Sequence, residues 1–278
     1  KSFLHLIVKV SKNHLRKADF FKYFDNLIIH FKDEISKYYI NSEIHDIFKG
    51  NRRILYFLIK SQILSVDYYV EKKRKIPRKL LNSQAEQNDD FDGYERLFLL
   101  GENESEISRI IRNDSLDEFI QYVNANQIGL KKTKVEESKF ESNSFLLNNE
   151  ATLIEYAAFY GSIQIFKYLI QNGAKLREIL WCYAIHGRNM EIIFLLEQNG
   201  VQNDAKECFK MAVRCHHNEI AQYILSKYIN NPKFNALPFG LKYFNCEYIQ
   251  LDKIGKSVFH HFCYYDYPII VDYMLKNE

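Results

Sequence analysis

Glycine and proline are scarce in this chain, at 10 and 4 of 278 residues. Sandwiches and barrels need a turn about every 8–12 residues, and those turns draw on both residue types, so an all-β fold is disfavoured. Long apolar runs are missing too. No stretch reaches the ~20 apolar residues that cross a bilayer, and the opening KSFLHLIVKV has too short an apolar run for a signal peptide. The chain starts without Met, so its true N-terminus is not assumed to be in view. The five cysteines (Cys182, Cys208, Cys215, Cys246, Cys263) are odd in number and lack any C-x-x-C. They read as reduced, buried thiols of a cytosolic protein, not a disulfide framework. No G-x-G, H-E-x-x-H or G-x-S-x-G is present, which removes the dinucleotide, zincin and hydrolase signatures. Hydrophobic residues are 47% and charged residues 26%, ordinary globular material for one large or two modest domains.

What is present is a repeat. Residues 152–174, 178–201, 206–228 and 257–276 each read as a short apolar helix, a tight turn and a second helix with a stronger apolar stripe. A small residue precedes each turn (Ala158, Ala184, Ala212, Cys263), and the turns fall at Gly161, Gly187, Cys215 and Asp266. Small residues let helices approach, and glycine suits a left-handed turn position. The same template, relaxed, fits 44–64 with Gly50 at the turn and 107–123 with Asp114 there. Residues 15–40 carry Phe20, Phe21, Phe24, Leu27, Ile28, Phe31 and Ile35 at the spacing of one amphipathic helix. Polar spacers separate these units at 71–96, 129–150 and 229–256.

At TLIEYAAFYG the sequence resembles the ankyrin signature T-P-L-H-x-A-A-x-x-G through Thr152, Ile154, Ala157, Ala158 and Gly161; Ser257, Phe259 and His260 match it in the last unit. Leu153 and Glu155 replace its Pro and His, and the repeats are spaced more closely than the usual ~33 residues. The shortfall corresponds to the projecting β-hairpin. The block 107–228, through IIRNDSLDEFIQYV, LIEYAAFYGSIQIFKYL and CHHNEIA, resembles a degenerate ankyrin-type domain of unknown function that is expanded in trichomonad protists. That resemblance implies an all-α, ankyrin-like solenoid of stacked helical hairpins with a helical N-terminal cap. The expected organisation is a basic helical region at 1–80, a polar linker at 81–104, a repeat block at 105–230, a connecting loop at 231–256 and a further repeat from 257, with the array cut short at 278. The resemblance implies a protein-interaction role without fixing a partner.

Candidate chemistry is thin. Gly255-Lys256-Ser257 spells the end of a phosphate-loop signature, but its first glycine would fall at Gln250. Cys208, Cys215, His216, His217, His260, His261 and Cys263 are metal-ligand or nucleophile types, yet on the repeat register they take turn and core positions. Trp181, the single tryptophan, reads as core. No cofactor, metal or small-molecule substrate is expected, and the chain reads as a non-enzyme.

Two candidate binding surfaces remain. In the ankyrin register the two x positions face the concave groove. Here they are Phe159/Tyr160, Ile185/His186, Val213/Arg214 and Tyr264/Tyr265, an apolar and aromatic row that either presents interface anchors or packs beneath a spacer such as 229–256. The second surface is electrostatic. Residues 1–80 hold 18 Lys+Arg against 8 Asp+Glu and the remainder 20 against 27, so the net +3 is a cancellation. Lys72, Lys73, Arg74, Lys75, Arg78 and Lys79 form the densest basic run. Such a run is a solvated loop, a dock for an acidic cytoskeletal surface such as tubulin, or a nuclear or nucleic-acid contact. No aromatic platform for reading RNA accompanies it.

Overall fold

The computed structural model describes residues 2–13, 18–71, 95–97, 99–138, 140–141, 143–249 and 258–276. Among them the chain is all-α; the one β feature is an isolated antiparallel bridge between Lys134 and Thr152. The basic run 72–79 lies outside the described residues.

The N-terminal body is built from α1 (Ser2–Asn13), α2 (Ala18–His30), α3 (Lys32–Tyr38), α4 (Asn41–Phe48), α5 (Arg52–Lys60) and α6 (Val66–Glu71). The single helix expected over 15–40 divides at Phe31, whose φ of −101° and ψ of 20° leave the helical region. Leu4, Ile7, Phe21, Phe24, Ile28, Ile44, Phe48 and Leu58 close a core here. Asp25 accepts from Arg53, Nη2 at 2.5 Å, while Arg53 Nε donates to Leu99 O at 3.1 Å. The guanidinium also lies 4.6 Å from the Phe21 ring centroid. Leu97 and Leu99 pack on this core. The second half of the expected 81–104 linker is therefore part of the N-terminal body.

From α7 (Glu106–Arg112) onward one local device recurs. A residue with positive φ follows the first helix of each unit: Asp114, Gly161, Arg188, His216, Phe244 and Asp266. Its N–H bonds the carbonyl three residues back, as in Arg188 to Ile185 at 3.1 Å and His216 to Val213 at 3.1 Å. At five of the six turns the next N–H reaches five residues back: Ser115 to Ile110, Ser162 to Ala157, His217 to Ala212, Asn245 to Gly240 and Tyr267 to Phe262. This paired closure satisfies the last carbonyls of a helix and reverses the chain.

The units so defined are α7 with α8 (Leu116–Ala125), α10 (Leu153–Tyr160) with α11 (Ile163–Gln171), α12 (Leu180–His186) with α13 (Met190–Gln198), and α14 (Ala205–Arg214) with α15 (Asn218–Ile224). Next comes α16 (Leu237–Tyr243) with a 3-10 turn (Cys246–Tyr248), then α17 (Phe259–Tyr264) with α18 (Pro268–Lys276). A short helix, α9 (Ser144–Asn148), lies in the spacer after α8. The relaxed pairs around Gly50 and Asp114 are both helical hairpins.

Three details of the expected register change. Within the expected connecting loop 231–256, the described residues 231–249 are not loop throughout: α16 packs on α14 as the first helix of a further unit, and a 3-10 turn, Cys246–Tyr248, follows it. A helix–turn–helix template finds only half of it. The small residue sits four places before the left-handed position, at Ala157, Ala184, Ala212 and Gly240, all buried. Phe262 takes that place in the last unit, so Cys263 is exposed. Finally, Gly187 is right-handed, with φ −65°; the left-handed residue is Arg188.

First helices stack in order, α7 on α10, α12, α14, α16 and α17, and meet more closely than the outer α8, α11 and α13. Their core runs from Ile107 to Tyr243, separate from the N-terminal core. A polar ladder threads the stack. The residue after each left-handed position reaches back to the preceding unit's backbone: Ser162 Oγ to Ile111 O (2.5 Å), Asn189 Nδ2 to Gly161 O (3.3 Å), His217 Nδ1 to Ile185 O (2.7 Å), Asn245 Nδ2 to Val213 O (3.0 Å) and Tyr267 OH to Leu241 O (2.9 Å). Four of the five acceptors occupy one register position, three before the left-handed residue. Those four carbonyls already accept the left-handed residue's N–H within their own turn, and the rung fills the second lone pair from the next unit.

Candidate interaction surface

The aromatic row changes character along the array. Phe159, Ile185, His186 and Val213 are buried, so of the two readings of the row these four take the packed one and are not groove anchors. The cover comes from the spacer 129–150, not from 229–256 alone. Phe145, on α9, stacks on Phe159 (centroids 6.3 Å apart) and lies 4.5 Å from His186. Helix α1 touches both α9 and α16, so the N-terminal body leans on the same side. The apolar side chains gain by packing inward.

In the observed register the residue two places before the left-handed position is Arg112, Phe159, His186, Arg214, Lys242 and Tyr264. Arg112 is half-buried, Phe159 and His186 are buried, Arg214 is half-buried, and Lys242 and Tyr264 are exposed, Tyr264 at 80%. Of the sequence candidates, Tyr160 and Tyr265 are half-buried. Lys242 escaped the sequence reading because its unit was taken as loop. Exposed apolar side chains continue on α18 at Ile269, Tyr273 and Leu275.

The cysteines and histidines are dispersed. Cys215 is fully buried, its Sγ 3.3 Å from His186 Nδ1. Burial pushes that thiol up to about 12, so it stays protonated and unreactive near neutral pH. His216 Nε2 lies 2.9 Å from Tyr243 O, and His217 is a ladder rung. His260 and His261 touch each other at 4.0 Å between centroids. Among the described residues no group of three His, Cys, Asp or Glu side chains is placed to hold a metal ion. Cys182 and Cys208 both line a cleft of about 430 Å³, with Glu178, Asp204 and Glu207. Trp181 is core, with Nε1 donating to Val201 O at 3.0 Å.

A larger cleft of about 480 Å³ lies between the two bodies, lined by Lys49, Arg52, Lys134, Glu141 and Tyr156 among others. Its charges are of both signs and engaged: Lys134 pairs with Glu150, and Arg52 Nη1 donates to Ser138 O at 3.4 Å. Tyr156 accepts from Arg112 Nη1 at 3.0 Å. No helix among the described residues is long and apolar enough to cross a membrane. Compared with family models, curated proteins and solved structures, the chain matches none.

Proposed function

We propose that this chain is a non-catalytic protein-interaction scaffold, a solenoid of shortened ankyrin-type hairpins that binds an acidic protein surface at the open end of its row. The carrying observation is the change along one register position from α10 onward, from covered Phe159 and His186 through half-buried Arg214 to exposed Lys242 and Tyr264. Two cations in the same register as an exposed tyrosine suit an acidic partner, with the ring as anchor and the charges steering approach. The protonated, enclosed Cys215 supports a binding role over thiol chemistry.

An acidic cytoskeletal polymer such as the microtubule is the narrower form of this reading. Co-sedimentation at low salt tests it. The triple variant Arg214→Glu, Lys242→Glu, Tyr264→Ser, checked for an unchanged far-UV spectrum, should lose at least tenfold in apparent affinity. Undiminished sedimentation of that variant would place the contact elsewhere, and a parallel variant neutralising Lys72, Lys73, Arg74, Lys75, Arg78 and Lys79 reports on the basic run.

A further inference from the structure

We infer that α9 and its flanks, residues 143–149, form a displaceable strap over an aromatic seat, and that the seat receives a phenylalanine of a partner peptide once the strap swings out. The seat is built by Phe159 on α10 and by Tyr183 and His186 on α12. Phe145 of the strap fills it. Its ring stacks on Phe159 with centroids 6.3 Å apart, meets Tyr183 edge-on at 4.8 Å and lies 4.5 Å from His186. Aromatic groups so arranged gain more than simple burial gives. The occupant is thus one side chain on a short and otherwise polar segment, NSFLLNN. That segment defines what the seat takes: a Phe followed by an aliphatic residue, in an uncharged stretch of Ser and Asn. The seat lies at the covered half of the row and is independent of the contact proposed at Lys242 and Tyr264.

The strap is lightly held. Helix α9 has five residues, fewer than a helix needs to persist alone, so its form depends on docking. Its apolar hold is Phe145 and Leu146, while Leu147 is 37% exposed. Its first residue is buried with a defect. Asn143, 1% exposed, caps the Phe145 N–H through Oδ1 at 2.9 Å, but its Nδ2 has no partner among the described residues. An enclosed donor without an acceptor destabilises the closed form, and opening returns it to water. Helix α1 touches α9, yet Leu146, Leu147, Asn148 and Asn149 also line the cleft of about 480 Å³, so the strap borders open volume. A partner peptide binds only the open fraction, and its affinity falls by that fraction. The strap therefore sets how readily the seat is occupied in trans.

The experiment combines hydrogen exchange of the whole chain with a synthetic peptide, NSFLLNN, blocked at both ends. In the wild type the Leu147 amide, which bonds Asn143 O at 3.0 Å, should exchange roughly 100-fold faster than interior amides of α10 and α12. Millimolar peptide should quicken it by a further factor of about three, and the same peptide with Ala for Phe should not. Phe145→Ala empties the seat and should bind the labelled peptide about tenfold more tightly than the wild type does. Asn143→Ser keeps a cap and removes the unpartnered donor, so exchange at Leu147 should slow about fivefold. Protection of Leu147 equal to that of α10 and α12 would overturn the inference, because the strap would then open only with the whole unit. Peptide binding that ignores its Phe, or no peptide effect on either chain, would overturn it as well. If Phe145→Ala does not fold, the wild-type exchange with and without peptide still decides.

Discussion

The carbonyl oxygen of Ala158 stands 2.4 Å from the point that a Cβ on Gly187 would occupy. Glycine is required there by the approach of two stacked units, not by backbone handedness. Gly187→Ala should therefore cost about 2–3 kcal/mol through forced separation of α10 and α12. Gly200 is the contrasting case, with φ of +68° and nothing within 4 Å of its Cβ position. Gly200→Ala should cost only about 1 kcal/mol, from left-handed strain. Urea unfolding followed by Trp181 fluorescence separates the two, and equal losses would refute the close-approach explanation.

The ladder predicts that its rungs matter more than their size indicates. Ser162→Ala removes the inter-unit donor to the Ile111 carbonyl, and Asn245→Ala does the same at Val213, leaving each with only its own turn's N–H, from Asp114 and His216. Each should lower stability by about 1–3 kcal/mol. Hydrogen exchange should quicken locally, around 107–115 for the first and 211–218 for the second. Loss confined to the substituted unit's own second helix would show that the rung acts as a cap and not between units.

The His217 rung brings acid sensitivity. Burial, the largest influence, pushes its imidazole down to about 4, with Arg188 and His216 acting in the same direction and the Ile185 carbonyl and Glu219 opposing. An unfolded histidine titrates at about 6.5. Between the two values the unfolded chain binds a proton that the folded chain refuses. This contribution is complete above about pH 6.5 and is lost as pH falls toward 4, by up to ~3 kcal/mol. His217→Asn, the residue type used at 189 and 245, should flatten that slope while keeping the donor. A pH series of urea midpoints checks it; an unchanged slope would assign the titration to another group.

Thiol labelling should divide the cysteines by position. Cys246 and Cys263, both exposed, should react with Ellman's reagent within minutes in native buffer. Cys215 should react only at the rate of unfolding, since it is enclosed and held protonated. Rapid modification of Cys215 would reopen thiol chemistry at that pair.

Much of this architecture was legible in residue order, and the misses have physical causes. The hairpins at 152–174, 178–201 and 206–228 were readable because small and bulky apolar residues recur at a near-constant step. The unit at 237–248 was hidden because Pro238 and a one-turn second helix break the template. Packing of the row beneath a spacer was one of its two readings, but its lid is local and hard to see: Phe145 and Leu146 are two apolar anchors within the polar run ESNSFLLNNE. The role of Gly187 was misread because a glycine needed for proximity looks the same in sequence as one needed for a turn. The ladder left only a weak trace, a Ser, Asn or His at the start of the second helix, interchangeable because any donor reaches the same carbonyl.

The left-handed residues from Gly161 onward are spaced 27, 28, 28 and 22 apart. The short last step follows the unit whose outer element, among the described residues, is the 3-10 turn Cys246–Tyr248. In a one-dimensional array, cooperativity passes from neighbour to neighbour. An interrupted outer layer makes this junction the weakest coupling in the spine. The hairpin 259–276 should therefore open as its own small thermal transition, below the main one. Exposed Tyr264 rides on that segment, so a local fluctuation can reposition it while the rest of the array stays folded.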